Sequence, residues 1–313
     1  MEFSYVEAVA PATSANLGAG FDVFSLALEG LQDRVGVEIV KGEGITIKIE
    51  GVEAESIPVE PRRNTAGIVA ENLLKLSNRK YGLSLKIMKG IKSGSGLGSS
   101  AASAAAATIA INELLSLNLS KEEMIMNAAQ GEIASAEAAH ADNVSSAILG
   151  FFTIVRSYDP LEVVQLTAPQ NLEVVISLPE IEMDTAKARS VLPERVKLSD
   201  LVHNVGNATA FVAGLSLGDL ELMGRSLEDS IIEPARAHLI PGLSEVKEKA
   251  SQAGAVGVTI SGAGPSVIAL ADERKEKAKK IAGAMKDAFM RHGISSQTIC
   301  TRPGPGARIV RRQ

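Results

Sequence analysis

An α+β chain of two domains is what the sequence predicts, and three observations carry that expectation. At 313 residues the chain exceeds the usual size of one folding unit, so two domains sharing a cleft are expected. Segments with period-two apolar alternation are interspersed with segments whose apolar residues recur at helical spacing. Between Leu83 and Ala107 a strand pattern, a glycine-rich loop and an alanine-rich helix follow one another.

Bulk composition narrows the function. The charged fraction of 22% and hydrophobic fraction of 45% describe an ordinary globular protein. A net charge of −5 gives no general attraction to nucleic acid or anionic lipid. The basic end from Arg308 to Arg312 is too short to reverse that. With no Trp and 3% aromatics, base stacking is a poor mode of binding. Cys300 is the only cysteine, which excludes an internal disulfide and a cysteine-built metal cluster and fits a reducing cytoplasm. Neither a signal-peptide pattern at Met1 to Glu7 nor an apolar run of membrane-spanning length is present.

In chain order, Val6 to Val9 reads as a short strand entering Pro11-Ala12-Thr13-Ser14-Ala15-Asn16-Leu17-Gly18-Ala19-Gly20-Phe21-Asp22, where Asn16 and Asp22 are the strong polar groups. On composition they serve equally well as turn formers or as site residues. Val35 to Val40 and Ile45 to Ile49 read as paired strands about the turn Lys41-Gly42-Glu43-Gly44. Asn64 is placed to cap a helix starting at Thr65. Leu83, Leu85 and Ile87 alternate with Ser84, Lys86 and Met88 as a half-buried strand.

The glycine loop after that strand is the strongest chemical signal. Gly94, Gly96 and Gly98 allow the backbone angles by which successive N–H groups turn inward. The alanine run that follows predicts a helix from about Ser99 or Ser100, whose N-terminal N–H groups and dipole favour an anion in the same space. Neither familiar phosphate loop fits: the Walker form needs Lys where Ser99 stands, and the dinucleotide form needs a different glycine spacing.

Ser120-Lys121-Glu122-Glu123 is a capping box opening a helix towards His140. Glu132 within it sits among Ala, Gly and Ile, where a carboxylate needs either solvent or a partner. Phe151 to Val155, Val163 to Leu166 and Leu172 to Leu178 have strand composition, and a domain boundary is expected near residue 167, dividing 1–167 from 168–313. Thr185 and Arg189 share one side of a helical turn. Ser244 is placed to cap a helix ended by Gly254. A strand from Val256 to Ile260, a second glycine turn at Ser261 to Ser266 and a strand from Val267 to Leu270 follow. A helix from Lys275 to Arg291 and strands at Ile294 to Thr301 and Ala307 to Val310 complete the pattern.

Gly96-Leu97-Gly98-Ser99-Ser100-Ala101 resembles the phosphate loop of the GHMP kinases, small-molecule kinases that include galactokinase, homoserine kinase, mevalonate kinase and phosphomevalonate kinase. The stretch from Pro11 to Asp22 looks like the first motif of the homoserine kinase branch nearly word for word; mevalonate kinases carry a Lys close by, and this stretch has none. The loop departs from the family in one respect, reading Lys92-Ser93 where a proline often stands.

The resemblance, which covers most of the chain, implies a two-domain GHMP kinase fold: a first domain like ribosomal protein S5 domain 2 and a ferredoxin-like second. It implies ATP held by Lys92, Ser93, Gly94, Ser95, Gly96, Leu97, Gly98, Ser99, Ser100 and Ala101, with Asn64 near the adenine. It implies Mg²⁺ between Ser100 and Glu132, and L-homoserine as the small-molecule substrate. Asn16, Asp22, His140, Asn143, Thr185, Arg189 and Arg236 would meet that substrate, Asp22 facing the ammonium and the two arginines clamping the carboxylate. Asp142 and Asn143, in His140-Ala141-Asp142-Asn143, are the catalytic candidates. Whether Asp142 removes the hydroxyl proton is open; the resemblance favours a mechanism without a strong base, the γ-phosphate taking the proton. A homodimer in the cytoplasm is the expected assembly, with no nucleic acid or membrane partner.

Overall fold

The computed structural model describes residues 3–136, 140–183 and 185–313. Strand β1 (Tyr5–Ala15) pairs antiparallel with β2 (Phe24–Val40) along its whole length. Both strands are longer than their apolar runs suggest. Alanine, threonine and serine from Ala10 to Ala15 are small enough to be buried between the sheet and a helix, so β1 continues through the polar-looking motif.

Strand β3 (Gly44–Gly51) does not pair with β2. The chain instead passes through helix α1 (Thr65–Leu76) and returns as β4 (Gly82–Lys89), which inserts between them, antiparallel to β2 and parallel to β3. Parallel neighbours require such a crossover, and the turn residues at 41–44 carry no information about it. Asn64 does cap α1, its Oδ1 accepting from the Gly67 N–H at 3.3 Å.

Helix α2 (Ser99–Leu115) lies against this sheet with α1 and α3 (Lys121–Ala136). It is buried on nearly every side, and its alanines are what let the neighbouring strands and helices approach so closely. The capping box holds at the start of α3: Ser120 N donates to Glu123 Oε2 at 2.8 Å and Glu123 N to Ser120 Oγ at 3.2 Å. Beyond Ala136 the path expected towards His140 crosses residues 137–139, outside the described residues. Helix α4 (Asp142–Leu149) and strands β5 (Phe152–Tyr158) and β6 (Leu161–Leu166) complete this half.

A second sheet is built from β7 (Leu172–Pro179), β8 (Gly257–Ile260), β9 (Val267–Asp272) and β10 (Ser296–Thr301), in the order β10-β7-β9-β8, all antiparallel. Between β7 and β8 come α5 (Thr185–Ser190), α6 (Leu198–Leu217), α7 (Leu220–Arg225), α8 (Ile232–Arg236) and α9 (Leu243–Ala253). Gly242, not Ser244, is the residue preceding the first turn of α9. Helix α10 (Ala278–Arg291) packs beside α9 against β7. The last strand, β11 (Arg308–Arg312), leaves the second sheet and pairs with β1, so residues 308–312 lie with the first sheet. No described helix is long and apolar enough to cross a membrane.

Candidate active site

A cleft of about 430 Å³ opens between the two sheets, and the polar residues singled out from sequence converge on it. Its floor is the glycine loop. Gly94, Gly96 and Gly98 have φ of 65°, 79° and 62°, the left-handed region that side chains avoid. A Cβ on Gly96 would stand 2.5 Å from the Ser261 carbonyl oxygen, so the loop and the second glycine turn touch backbone to backbone. Gly98 starts α2 and no side chain caps it, leaving the N–H groups of the first turn available to an anion.

A buried ion pair underpins that helix end. Lys89, the last residue of β4, pairs with Asp33 of β2, and Lys89 Nζ also donates to the Ser99 carbonyl and to Ser103 Oγ, both at 2.9 Å. Asp33 Oδ1 accepts from the N–H groups of Gly90 (2.9 Å) and Ile91 (3.1 Å), and its Oδ2 from Ser103 Oγ (2.7 Å). Each charge is thus surrounded by donors or acceptors, the condition under which burial of an ion pair is tolerated. Sequence reasoning missed both residues. Lys89 closes β4 and Asp33 lies mid-strand in β2, and nothing local to either marks the other as its partner.

Ser100, the second residue of α2, donates from Oγ to Glu132 Oε2 at 2.9 Å. Burial pushes the Glu132 carboxyl up to about 7. Burial likewise pushes Asp142 up to about 6, with the Asp22 charge acting in the same direction. Both carboxylates sit where a bound cation would offset their desolvation. Among the described residues no group of three or more His, Cys, Asp and Glu could hold a metal. A hydroxyl and one carboxylate do fit an ion that keeps waters and takes its remaining oxygens from phosphates, as Mg²⁺ does. The fit rests on oxygen donors beside an anion-binding helix end.

Opposite the loop the charges are arranged for a zwitterion. Arg189 reaches from α5 to Asp22, Nη2 to Oδ1 at 2.9 Å and Nη1 to Oδ2 at 3.3 Å. Its Nη2 also lies 3.3 Å from His140 Nδ1. A guanidinium only donates, so Nδ1 accepts and the His140 proton resides on Nε2. Burial, then the Arg189 charge, lowers the His140 pKa, keeping the ring neutral. His140 Nε2 and Arg189 Nε are buried without a hydrogen-bond partner among the described residues.

Arg236 is buried on α8, its Nε donating to the Ala188 carbonyl at 3.0 Å and Nη1 to the Gly262 carbonyl at 3.2 Å. Both guanidinium carbons stand 5.4 Å from the Phe21 ring centre, within cation–π range. Sequence reasoning passed over Phe21, because its role appears only once two distant arginines flank it.

Asn16, Asp22, Asn64, Thr185, Asn143, Asp142, His140, Arg189, Arg236, Glu132 and most of the glycine loop line the one cleft. Asn16 is also a structural link, its Nδ2 donating to the Gly262 carbonyl at 2.7 Å and its Oδ1 accepting from the Asp22 N–H at 3.1 Å. Asn143 Oδ1 accepts from Thr13 Oγ1 at 2.7 Å. Three of the loop residues expected at the nucleotide do not face it. Leu97 and Ala101 are buried in the core, and the Lys92 side chain turns outward to Glu53 at 3.5 Å. A loop that binds through main-chain N–H groups has its side chains free to pack elsewhere.

Known proteins resemble this chain over nearly its whole length. Residues 64–151 match the family model of the GHMP kinases N terminal domain, and residues 210–291 that of the GHMP kinases C terminal domain. A homoserine kinase of Methanococcus maripaludis is 44% identical over 305 residues, 97% of this chain and 98% of the relative. One of Natronomonas pharaonis is 46% identical over 300 residues, 96% of this chain and 98% of the relative. The crystal structure of homoserine kinase from Cytophaga hutchinsonii superposes with a TM-score of 0.93 at 39% identity, covering 98% of each chain. L. major mevalonate kinase in complex with R-mevalonate shares the fold, with a TM-score of 0.72 at 17% identity over 97% of this chain and 98% of that one.

Proposed function

The chain belongs to the GHMP kinase family, and we propose that it phosphorylates the side-chain hydroxyl of L-homoserine with ATP, giving O-phospho-L-homoserine for threonine formation in the cytoplasm. The observation that carries the substrate is the pairing of Asp22 with Arg189, beside Arg236, in the same cleft as the glycine loop. An α-amino acid presents one ammonium and one carboxylate, and it can replace the internal pair with two external ones: ammonium to Asp22, carboxylate to Arg189 and Arg236. A substrate lacking the ammonium would leave Asp22 without its exchange partner.

The remaining residues take roles that their positions support. Main-chain N–H groups of Ser93 to Ser100 hold the triphosphate, with Asn64 and the adjoining segment at the nucleobase end. Ser100 and Glu132 would hold Mg²⁺, which when bound compensates charge on the phosphate oxygens. Thr185, His140, Asn16 and Asn143 contact the amino acid, and Asp142 and Asn143 orient its hydroxyl. The hydroxyl proton passes to a phosphate oxygen as the new P–O bond forms and ADP leaves. In this reading the protein contributes position and charge more than proton abstraction.

Magnesium-dependent ADP release, measured over homoserine, mevalonate, shikimate and galactose, tests the proposal. Turnover confined to homoserine is expected. Preference for mevalonate or another alcohol would assign a sister kinase, and nucleotide binding without turnover on any alcohol would assign a sensor.

A further inference from the structure

Asp22 is fixed from two sides, and only one of them is the cleft. Its φ of 55° lies in the left-handed region, which a residue other than glycine adopts against a steric penalty that its surroundings must offset. Facing the cleft, the carboxylate meets Arg189. Behind it, two hydrogen bonds hold the main chain: the Asp22 N–H donates to Asn16 Oδ1 at 3.1 Å, and the Asp22 carbonyl accepts from Tyr158 Oη at 2.8 Å. Tyr158 closes β5, which runs beside the start of β2, and the Val155 N–H donates to the Val23 carbonyl at 2.9 Å, next to the turn. The register of β5 against β6 shifts between Val155 and Ser157, an irregularity of the kind that re-aims side chains. The Ala141 main-chain N–H bears on the same Tyr158 oxygen, so one hydroxyl joins the turn ending at Asp22 to residues 140–143. Burial, with the Asp142 and Asp22 charges acting in the same direction, raises the Tyr158 pKa, so the hydroxyl keeps the proton that it donates.

We propose that Tyr158, which does not itself line the cleft, is a positioning residue for the substrate's ammonium group, a role that rests on the assignment of Asp22 to that ammonium made above. Its hydroxyl holds the Asp22 main chain in the turn that aims the carboxylate inward. Arg189 helps to fix Asp22 through the ion pair. An amino acid bound as proposed takes both partners of that pair for itself, and the turn then depends on Asn16 and Tyr158. Asn16 is anchored on its other side, its Nδ2 donating to the Gly262 carbonyl at 2.7 Å. Tyr158 supplies the opposing bond. Its ring is half-exposed, so the hydroxyl contributes direction rather than core packing, and Tyr158→Phe removes that bond while leaving the sheet intact.

Steady-state kinetics of Tyr158→Phe should show KM for homoserine raised roughly three- to tenfold, with kcat and KM for ATP changed by less than about twofold, the effect of one lost hydrogen bond. Hydrogen exchange without any substrate gives a second readout. The amides of Asp22, Val23 and Phe24 should exchange faster in Tyr158→Phe, while those of residues 93–100 keep the rates of the unsubstituted chain. An unchanged KM for homoserine, an equal loss in kcat or in KM for ATP, or unchanged exchange at Asp22 would each overturn the proposal. If the unsubstituted chain fails to phosphorylate homoserine, the function proposed above falls, and the exchange at Asp22 alone decides whether Tyr158 holds the turn.

Discussion

Arg189 and Asp22 neutralise one another in the cleft, Nη2 donating to Oδ1 at 2.9 Å and Nη1 to Oδ2 at 3.3 Å. Each is the charge that the proposed substrate must engage, so the two recognition groups are held as a pair. Replacing Arg189 with Leu removes a charge-assisted contact worth roughly 1.5–3 kcal/mol, or about 10- to 100-fold in KM for homoserine, and leaves KM for ATP nearly unchanged. Steady-state kinetics with each substrate varied in turn measures both. A KM for homoserine that stays put would remove the carboxylate clamp from the mechanism.

Lys89 and Asp33 pose a stability question instead. Lys89→Met leaves Asp33 buried without its countercharge, and loss of one partner from a buried pair typically costs about 3–5 kcal/mol. The double substitution Lys89→Met with Asp33→Asn should recover part of that loss, since the buried charge goes too. Urea unfolding of the three variants gives the coupling. Nucleotide affinity should fall alongside in Lys89→Met, because the Ser99 carbonyl loses the donor that fixes the start of α2.

How much of this was legible beforehand depends on whether the cause is local. The start of α2, the cap at Asn64 and the capping box at Ser120 were readable because each is set by a few adjacent residues and the backbone groups they satisfy. The insertion of β4 between β2 and β3 was not, since strand order is decided by packing at long sequence separation. Helix α6 was missed because its outward face is apolar, which blurs the helical periodicity that marks an ordinary surface helix. Asp22, Arg189 and Glu132, which all line the cleft, were singled out through the motifs around them. Phe21, Lys89 and Asp33 were missed because their partners lie elsewhere in the chain.

Asp142 carries a pH signature. Its carboxyl is raised by burial to about 6 from an ordinary 3.8, so the folded state binds a proton more tightly than the unfolded chain does. Stability from this group is fully present at low pH and is lost as pH rises through that interval, by up to about 3 kcal/mol above pH 6. Asp142→Asn abolishes the titration. Thermal unfolding of the nucleotide-free protein should therefore show Asp142→Asn gaining on the unsubstituted chain as pH rises from about 4 to about 7. Parallel curves over that range would show that Asp142 is not desolvated in the free protein. Its kinetics bear on the proton: with no strong base required, the rate loss in Asp142→Asn should stay below the ~10²–10⁴ typical of general-base removal.

Gly98 and Gly30 together separate two costs that substitution of a glycine usually confounds. Both have positive φ, 62° and 84°. A Cβ on Gly30 would meet nothing within 4 Å, whereas one on Gly98 would lie 2.0 Å from Thr13 Oγ1 and 3.0 Å from Asn143 Oδ1. Gly30→Ala thus reports backbone strain alone, about 1–2 kcal/mol of stability, with nucleotide binding intact. Gly98→Ala adds a collision that the Thr13 to Asn143 hydrogen bond cannot absorb without moving, and Asn143 stands at the proposed hydroxyl. Its stability loss should exceed that of Gly30→Ala, and its affinity for ATP, measured by calorimetry, should fall at least tenfold, about 1.4 kcal/mol. Equal behaviour of the two variants would mean that the loop yields at Gly98, and that its close fit against β1 is not what holds the phosphate-binding N–H groups in place.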